Sequence, residues 1–148
     1  MKKHPYVVYE YVRWSDVDPM GIIRYDAYTR FYELGESELL RHVRLPHRVI
    51  GERFGIAIPR RVMHMEFTSA PVLDERLEVR VYISHVGTTS MTLNFDIYGE
   101  RGALRSQGYL VLVCVETGGG ATQITKRAWP EEFIRLLGDY QMSVEEAR

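Results

Sequence analysis

The sequence predicts an α+β domain in which a curled antiparallel sheet of about five strands wraps around one long central helix. Three observations carry this. Tyr28, Phe31, Tyr32, Gly35 and Leu39 recur at i, i+3, i+4, i+7 and i+11, which is one face of a helix over about residues 25–40. Leu77, Val79, Val81 and Ile83, then Met91, Leu93, Phe95 and Ile97, alternate with polar residues at the period of half-buried strands. The order is strand, helix, then four hairpin-joined strands, and this segregation favours an antiparallel sheet. A helix of about five turns, roughly 25 Å long, can cover one face of such a sheet.

Each element has a local reason. Residues 6–14 are rich in valine and tyrosine and read as the first strand. Asp16-Val17-Asp18-Pro19-Met20-Gly21 is a sharp turn with two carboxylates. Gly35 sits mid-helix, where glycine costs roughly 1 kcal/mol against alanine, so close approach to the packing partner is expected there. Asp26 falls in the first helical turn, where a negative charge suits the helix dipole. Residues 45–53 read as a loop with a short helical piece begun by Pro46, and residues 54–59 as an apolar loop. Arg60 and Arg61 open the second strand, which Ser69-Ala70-Pro71 ends. Gly87-Thr88-Thr89 and Gly99–Gly102 turn the chain between the next strands. Residues 103–117 are apolar on both faces around 110–115, as in an interior strand. Gly118-Gly119-Gly120 is a turn, Pro130 at the first helical position starts a last short helix, and 143–148 are expected to fray. No repeat or linker divides residues 1–148, so a single domain is expected.

Composition narrows the function classes. A net charge of −1 argues against a broad nucleic-acid surface. The longest apolar run, 109–115, is too short to span a bilayer, and no secretory leader is recognisable, so the cytoplasm is the expected compartment. The lone cysteine, Cys114, reads as a buried small hydrophobe. His42 and His47 combine with no acid at metal-ligand spacing, and neither metal nor cofactor is expected. The unpaired sheet edge predicts pairing with a second copy.

The chemistry concentrates in residues 13–44. A carboxylate-bearing turn lies a few residues before a helix start. Unpaired N–H groups and partial positive charge at that start can hold a developing oxyanion. A nearby aspartate can act as nucleophile or general base.

The run from Trp14 through Asp16-Val17-Asp18-Pro19-Met20-Gly21-Ile22-Ile23-Arg24-Tyr25 to Tyr28 and Glu33 resembles the signature of the hotdog-fold thioesterases of the 4-hydroxybenzoyl-CoA thioesterase family. Glu66-Phe67 to Pro71, the approach through Asp74, the His85–Ser90 turn and Trp129-Pro130 sit where that family has similar features. The resemblance implies hydrolysis of acyl-CoA thioesters without a cofactor. It implies that Asp18 is the catalytic carboxylate and that the backbone N–H near Tyr25 polarises the carbonyl. Gly21, Tyr28, Arg60, Arg61, His85, Thr88 and Thr89 would contact substrate. Two subunits would share one continuous sheet with active sites at their boundary, giving a homodimer or a dimer of dimers. Two departures stand out. Tyr25 takes a position where many relatives have His, and Asp26 puts an anion where an oxyanion would bind.

Structural readings stand beside these. Asp18 can brace its turn, Asp16 reads as a turn-capping acceptor, and Glu33 as a solvated side chain. Arg60 and Arg61 can be a solvated strand start, His64 and His85 surface or interface residues, and Thr88 and Thr89 ordinary turn residues. The Asp26 charge keeps a non-catalytic acyl-CoA-binding module open as an alternative. A dehydratase ranks last, because its histidine would stand where this chain has Tyr25.

Overall fold

The computed structural model describes residues 2–118 and 122–148. In chain order its strands are β1 (Tyr6–Tyr11), β2 (Ile56–Ala57), β3 (Arg60–Phe67), β4 (Arg76–Val86), β5 (Ser90–Tyr98), β6 (Leu104–Val113) and β7 (Val115–Glu116). Five of them form one antiparallel sheet in the order β1-β4-β5-β6-β3, and β2 pairs with β7 in a separate ribbon. The helices are α1 (Tyr28–His42), α2 (His47–Phe54), α3 (Glu131–Leu136) and α4 (Val144–Ala147).

The long helix α1 packs on β1, β4 and β5. Its buried face holds Tyr28, Phe31, Tyr32, Gly35, Leu39 and Leu40 as the periodicity requires. Leu77, Val79, Val81, Phe95 and Ile97 meet it from the sheet, all fully buried. Each such side chain is stabilised by about 1.5–3 kcal/mol on burial, so this contact dominates the core. Gly35 makes the approach possible. A Cβ there would lie 2.6 Å from Val81 Cγ2 and 3.0 Å from Val79 Cγ1. Across the sheet, Gly108 leaves room for Tyr32, whose hydroxyl lies 2.8 Å from Ser106 Oγ.

The 103–117 run takes the interior place expected of it, between β5 and β3, although it breaks at Cys114 into β6 and β7. Cys114 is buried, and burial pushes its thiol upward in pKa.

Four local expectations need correction. The helical segment opens as a tight 3-10 turn, Tyr25–Ala27, and α1 proper begins at Tyr28. The 54–59 loop contains β2, held by antiparallel pairing of Ile56 with Glu116 and Ala57 with Val115. Pro46 and Pro130 sit at the cap positions of α2 and α3, not at the first helical residue. The tail from Ser143 does not fray. Ser143 Oγ accepts from Glu146 N at 3.1 Å in a capping box, Ala147 is buried, and Arg148 pairs with the buried Asp96 carboxylate at 3.2 Å. Of the glycine turn, Gly119 and Gly120 lie outside the described residues.

Candidate active site

The acidic turn is sewn into the fold from both sides. Val17 bridges Ile23, Ile22 bridges Val72, and the Gly21 carbonyl accepts from Leu73 N at 3.2 Å. Gly21 has φ +81, a left-handed conformation that glycine adopts without strain. Asp18 N donates to Ile22 O at 3.0 Å, which closes the turn across its base.

The two carboxylates have different surroundings. Asp16 is buried and fully engaged. Arg13 N donates to Oδ2 at 2.8 Å, and Arg30 Nε to Oδ1 at 2.9 Å. Burial pushes the Asp16 pKa up, but the Arg30 and Arg13 contacts outweigh it and hold the carboxyl below its ordinary value. Asp18 is half-buried. Its Oδ1 accepts from Met20 N at 2.8 Å, and Oδ2 has no protein partner among the described residues. It lines a cleft of about 320 Å³ with Trp14, Val17, Pro19, Gly21 and Leu73. Asp16 therefore builds the turn, and Asp18 keeps one carboxylate oxygen without a protein partner among the described residues.

The helix start follows at once. Ala27 N bonds Arg24 O at 3.0 Å, the first bond of the 3-10 turn. The Tyr25 and Asp26 amides ahead of it have no backbone acceptor among the described residues. Arg24 N in turn donates to Asp16 O at 2.8 Å, which ties this start to the acidic turn. The Tyr25 ring is 76% exposed and does not line the Asp18 cleft within one chain. Tyr28 is buried, its ring 4.8 Å from that of Phe67. Asp26 points outward, its exposed carboxylate 3.7 Å from Arg24 Nε.

The remaining sequence candidates lie elsewhere. Arg60, at the far end of β3 from Phe67, pairs with the buried Glu36 carboxylate and donates to Ile58 O at 3.2 Å. It is thus a structural partner and not a free solvated cation. Arg61 is exposed beside it. His85 lies at the end of β4, and Thr88 and Thr89 occupy the β4–β5 turn. The Thr88 carbonyl accepts from Trp129 N at 3.1 Å and the Thr89 carbonyl from Cys114 N at 2.8 Å. That turn is a full strand length from the Asp18 end of the sheet, roughly 35 Å. Of the sequence candidates, only Asp18 and Gly21 line a common cleft within one chain, and Tyr25 and Tyr28 do not line it.

Glu36 escaped the sequence reading, although Tyr28, Tyr32 and Glu36 form an i, i+4, i+8 ridge that marks it as inward-facing. It is 1% exposed and lines a cavity of about 490 Å³. A larger cavity, about 610 Å³, opens between α2 and the β2–β7 ribbon, away from both carboxylates of the turn.

Residues 12–137 match the model of the thioesterase-like superfamily. The chain belongs to that superfamily. It is a thioester hydrolase by that membership, and its helix-on-sheet architecture is the hotdog fold. The chain is 26% identical over 124 residues to the acyl-CoA thioester hydrolase YbgC of Escherichia coli, covering 83% of this chain and 88% of the relative, and equally so to YbgC of Shigella flexneri. Two solved structures share the fold. One is Slr0204, a 1,4-dihydroxy-2-naphthoyl-CoA thioesterase from Synechocystis, with TM-score 0.81 and 16% identity over 90% of this chain and 95% of that one. The other is SAV2348 from Staphylococcus aureus in complex with CoA, with TM-score 0.83 and 16% identity over 97% and 90%.

Proposed function

We propose that this chain hydrolyses acyl-CoA thioesters to a carboxylic acid and free CoA, with Asp18 as the catalytic carboxylate. The observation that supports this most is the state of Asp18. It is half-buried in a cleft, has one oxygen unbonded, and lies seven residues before the unsatisfied Tyr25 amide, with Ile22 and Ile23 bridged into the fold between them. The thioester carbonyl oxygen would point at the Tyr25 and Asp26 amides, which stabilise the tetrahedral oxyanion. As a general base, Asp18 takes a proton from water as the water oxygen attacks the carbonyl carbon. The C–S bond then breaks and the CoA thiolate receives a proton. As a nucleophile, an Asp18 oxygen attacks the carbonyl carbon, the C–S bond breaks to release the CoA thiolate, which takes up a proton, and water opens the acyl anhydride to the free acid and the Asp18 carboxylate. Single-turnover hydrolysis in ¹⁸O-water separates the two, because only the anhydride route can place label in the Asp18 carboxylate.

The outward orientation of Asp26 removes the observation that favoured a non-catalytic module. Its charge is directed to solvent and Arg24, so it leaves the amides open to an oxyanion.

A homodimer belongs to the same reading. Among the described residues strand β3 pairs only with β6, and Met63 and Phe67 along it are exposed. Two-fold pairing along β3 would run the partner's strands the opposite way. It would bring the partner's β4–β5 turn to the Asp18 end of the sheet, where His85, Thr88 and Thr89 could contact CoA.

Asp18→Asn tests the proposal. Removing a general base or nucleophile costs about 10²–10⁴ in rate. Thiol release should fall by at least about a hundredfold with KM little changed. Turnover at the wild-type rate would remove Asp18 from the mechanism.

A further inference from the structure

The Asp18 turn rests on the segment 69–75, which meets it at three points. Ile23 N donates to Pro71 O at 3.1 Å, Ile22 bridges Val72, and Leu73 N donates to Gly21 O at 3.2 Å. Leu73 also lines the Asp18 cleft. Within the segment Asp74 takes a left-handed conformation, φ +67, which a non-glycine residue keeps only where its surroundings hold it.

Glu75 is what holds it. Its side chain is buried, and four donors converge on the carboxylate. Val72 N reaches Oε1 at 3.2 Å and an Arg105 terminal nitrogen reaches it at 3.0 Å. Arg105 Nε reaches Oε2 at 2.9 Å and Glu100 N reaches it at 3.1 Å. A two-pronged arginine–carboxylate pair fixes direction as well as distance. The same guanidinium ties down the start of the segment, donating to Ser69 Oγ at 3.1 Å, while Ser69 Oγ donates to Leu104 O at 2.7 Å. A Cβ at Gly99 would overlap the Glu75 carboxylate and stand 2.5 Å from Arg105 Nε, so a glycine there keeps the space that the pair fills. One buried acid thus joins the segment to β6 and to the β5–β6 hairpin. Neither Glu75 nor Arg105 lines the Asp18 cleft, and their reach to it runs through the backbone of 71–73.

We infer that Glu75 is a positioning residue for the reaction: with Arg105 it fixes the segment that sets where the Asp18 carboxylate stands. The inference rests on Asp18 being the catalytic carboxylate. A misplacement of about 1 Å at a reacting group costs on the order of a hundredfold in rate, so a small shift of the segment is enough. Substrate is not touched by the pair, so the effect belongs in kcat and not in KM.

Glu75→Gln is the first variant. All four partners are donors, so the amide nitrogen faces two of them in either orientation. The kcat for thiol release should fall about tenfold or more, with KM within about threefold of wild type. Gly99→Ala is the second variant, for the case that Glu75→Gln does not fold. It keeps every charge and a backbone that alanine accepts, φ −97, while its methyl displaces the carboxylate; the same fall in kcat is expected. Lost fold alone would also lower turnover, and the Asp18→Asn background separates the two causes. If Glu75 acts through Asp18, adding Glu75→Gln to Asp18→Asn lowers the residual rate by no more than about twofold. A second full decrease in that background, or wild-type kcat in both single variants, overturns the inference. Hydrogen exchange reads the brace without turnover. The Ile23 and Leu73 amides should exchange about tenfold or more faster in Glu75→Gln, while those of the β4–β5 pairing keep their wild-type rates. Faster exchange at those two amides, in a protein whose wild type releases no thiol from acyl-CoA, would keep the brace and reject the hydrolase reading. Unchanged exchange at Ile23 and Leu73 overturns the brace itself.

Discussion

The Arg30 guanidinium clasps the Asp16 carboxylate, with Nε 2.9 Å from Oδ1 and the adjacent nitrogen 2.5 Å from Oδ2. Arg30 lies in the first turn of α1, and Asp16 opens the turn that carries Asp18. The clasp therefore ties the turn that carries Asp18 to the helix start. Because Asp16 is buried, removing its charged partner leaves the carboxylate with the Arg13 amide alone, and the partial exposure of Arg30 reduces the cost. Arg30→Ala should destabilise the fold by about 2–4 kcal/mol in urea denaturation and lower thiol release with it. Wild-type stability in that variant would show that the clasp is dispensable.

The same pair gives a pH dependence. The Asp16 pKa is held below its ordinary value in the folded chain, chiefly because the Arg30 bond and the Arg13 amide outweigh the opposing effect of burial. A carboxyl with a depressed folded pKa binds more protons in the unfolded chain. Its contribution is complete above the unfolded value, about 3.9, and is lost as pH falls through the lower folded value. Wild type should therefore lose stability on acidification below about pH 4. Asp16→Asn should start less stable and fall less steeply over that window, as followed by thermal melts. Parallel slopes for the two proteins would refute the assignment to Asp16.

Gly35 gives a packing test with two opposing terms. Alanine gains about 1 kcal/mol of helix propensity. Its methyl would stand 2.6 Å from Val81 Cγ2 and 3.0 Å from Val79 Cγ1, in the most buried part of the sheet. Overpacking of this kind costs about 1–3 kcal/mol. Both valines are β-branched and fully buried, so they have little freedom to turn away. The packing term should win, and Gly35→Ala should lower Tm by several degrees; an unchanged or raised Tm would mean that α1 can lift off the sheet at little cost.

What was legible in the chain depended on the range of the interaction. The buried face of α1 and the alternation in β4 and β5 show as periods, because each repeats one contact several times. Gly35 was readable because a glycine inside a helix needs a reason. The β2–β7 pairing is two residues long and has no period to detect. Glu36 reads as a polar helix residue, since its partner Arg60 is 24 positions away and only the fold joins them. The Ser143-x-x-Glu146 capping box was a visible helix signal at the tail, yet the tail is also anchored by Asp96, a residue of strand β5. The separation of Asp18 from His85, Thr88 and Thr89 is set by strand direction, which no local pattern encodes.

That tail supplies the next prediction. Asp96 is buried in β5, and its carboxylate accepts from Arg148 Nε at 3.4 Å and a terminal nitrogen at 3.2 Å. A freely fraying end would contribute nothing here. Arg148 is partly exposed, so the pair is worth less than a fully buried one, yet the acid that it covers is itself buried. Arg148→Ala should cost about 1–3 kcal/mol in chemical denaturation, and Arg148→Lys should recover part of it. Indistinguishable midpoints for wild type and Arg148→Ala would return the tail to the frayed state expected of it.

The β3 edge decides whether a second copy completes the site. An edge strand left with apolar side chains and unpaired backbone groups invites strand addition, and a charged residue on it blocks that pairing. Val62 sits within the edge and is 39% exposed. It lines neither the Asp18 cleft nor the cavity beside Glu36. Val62→Lys should leave the fold of one chain intact while halving the mass seen by light scattering at micromolar concentration. If the partner's β4–β5 turn holds CoA, the resulting monomer should show a KM raised about tenfold or more, with a smaller change in kcat, because binding contacts are lost while Asp18 and the helix start remain in place. A dimer that persists in Val62→Lys puts the interface elsewhere. A monomer with unchanged KM would mean that one chain binds CoA without help from its neighbour.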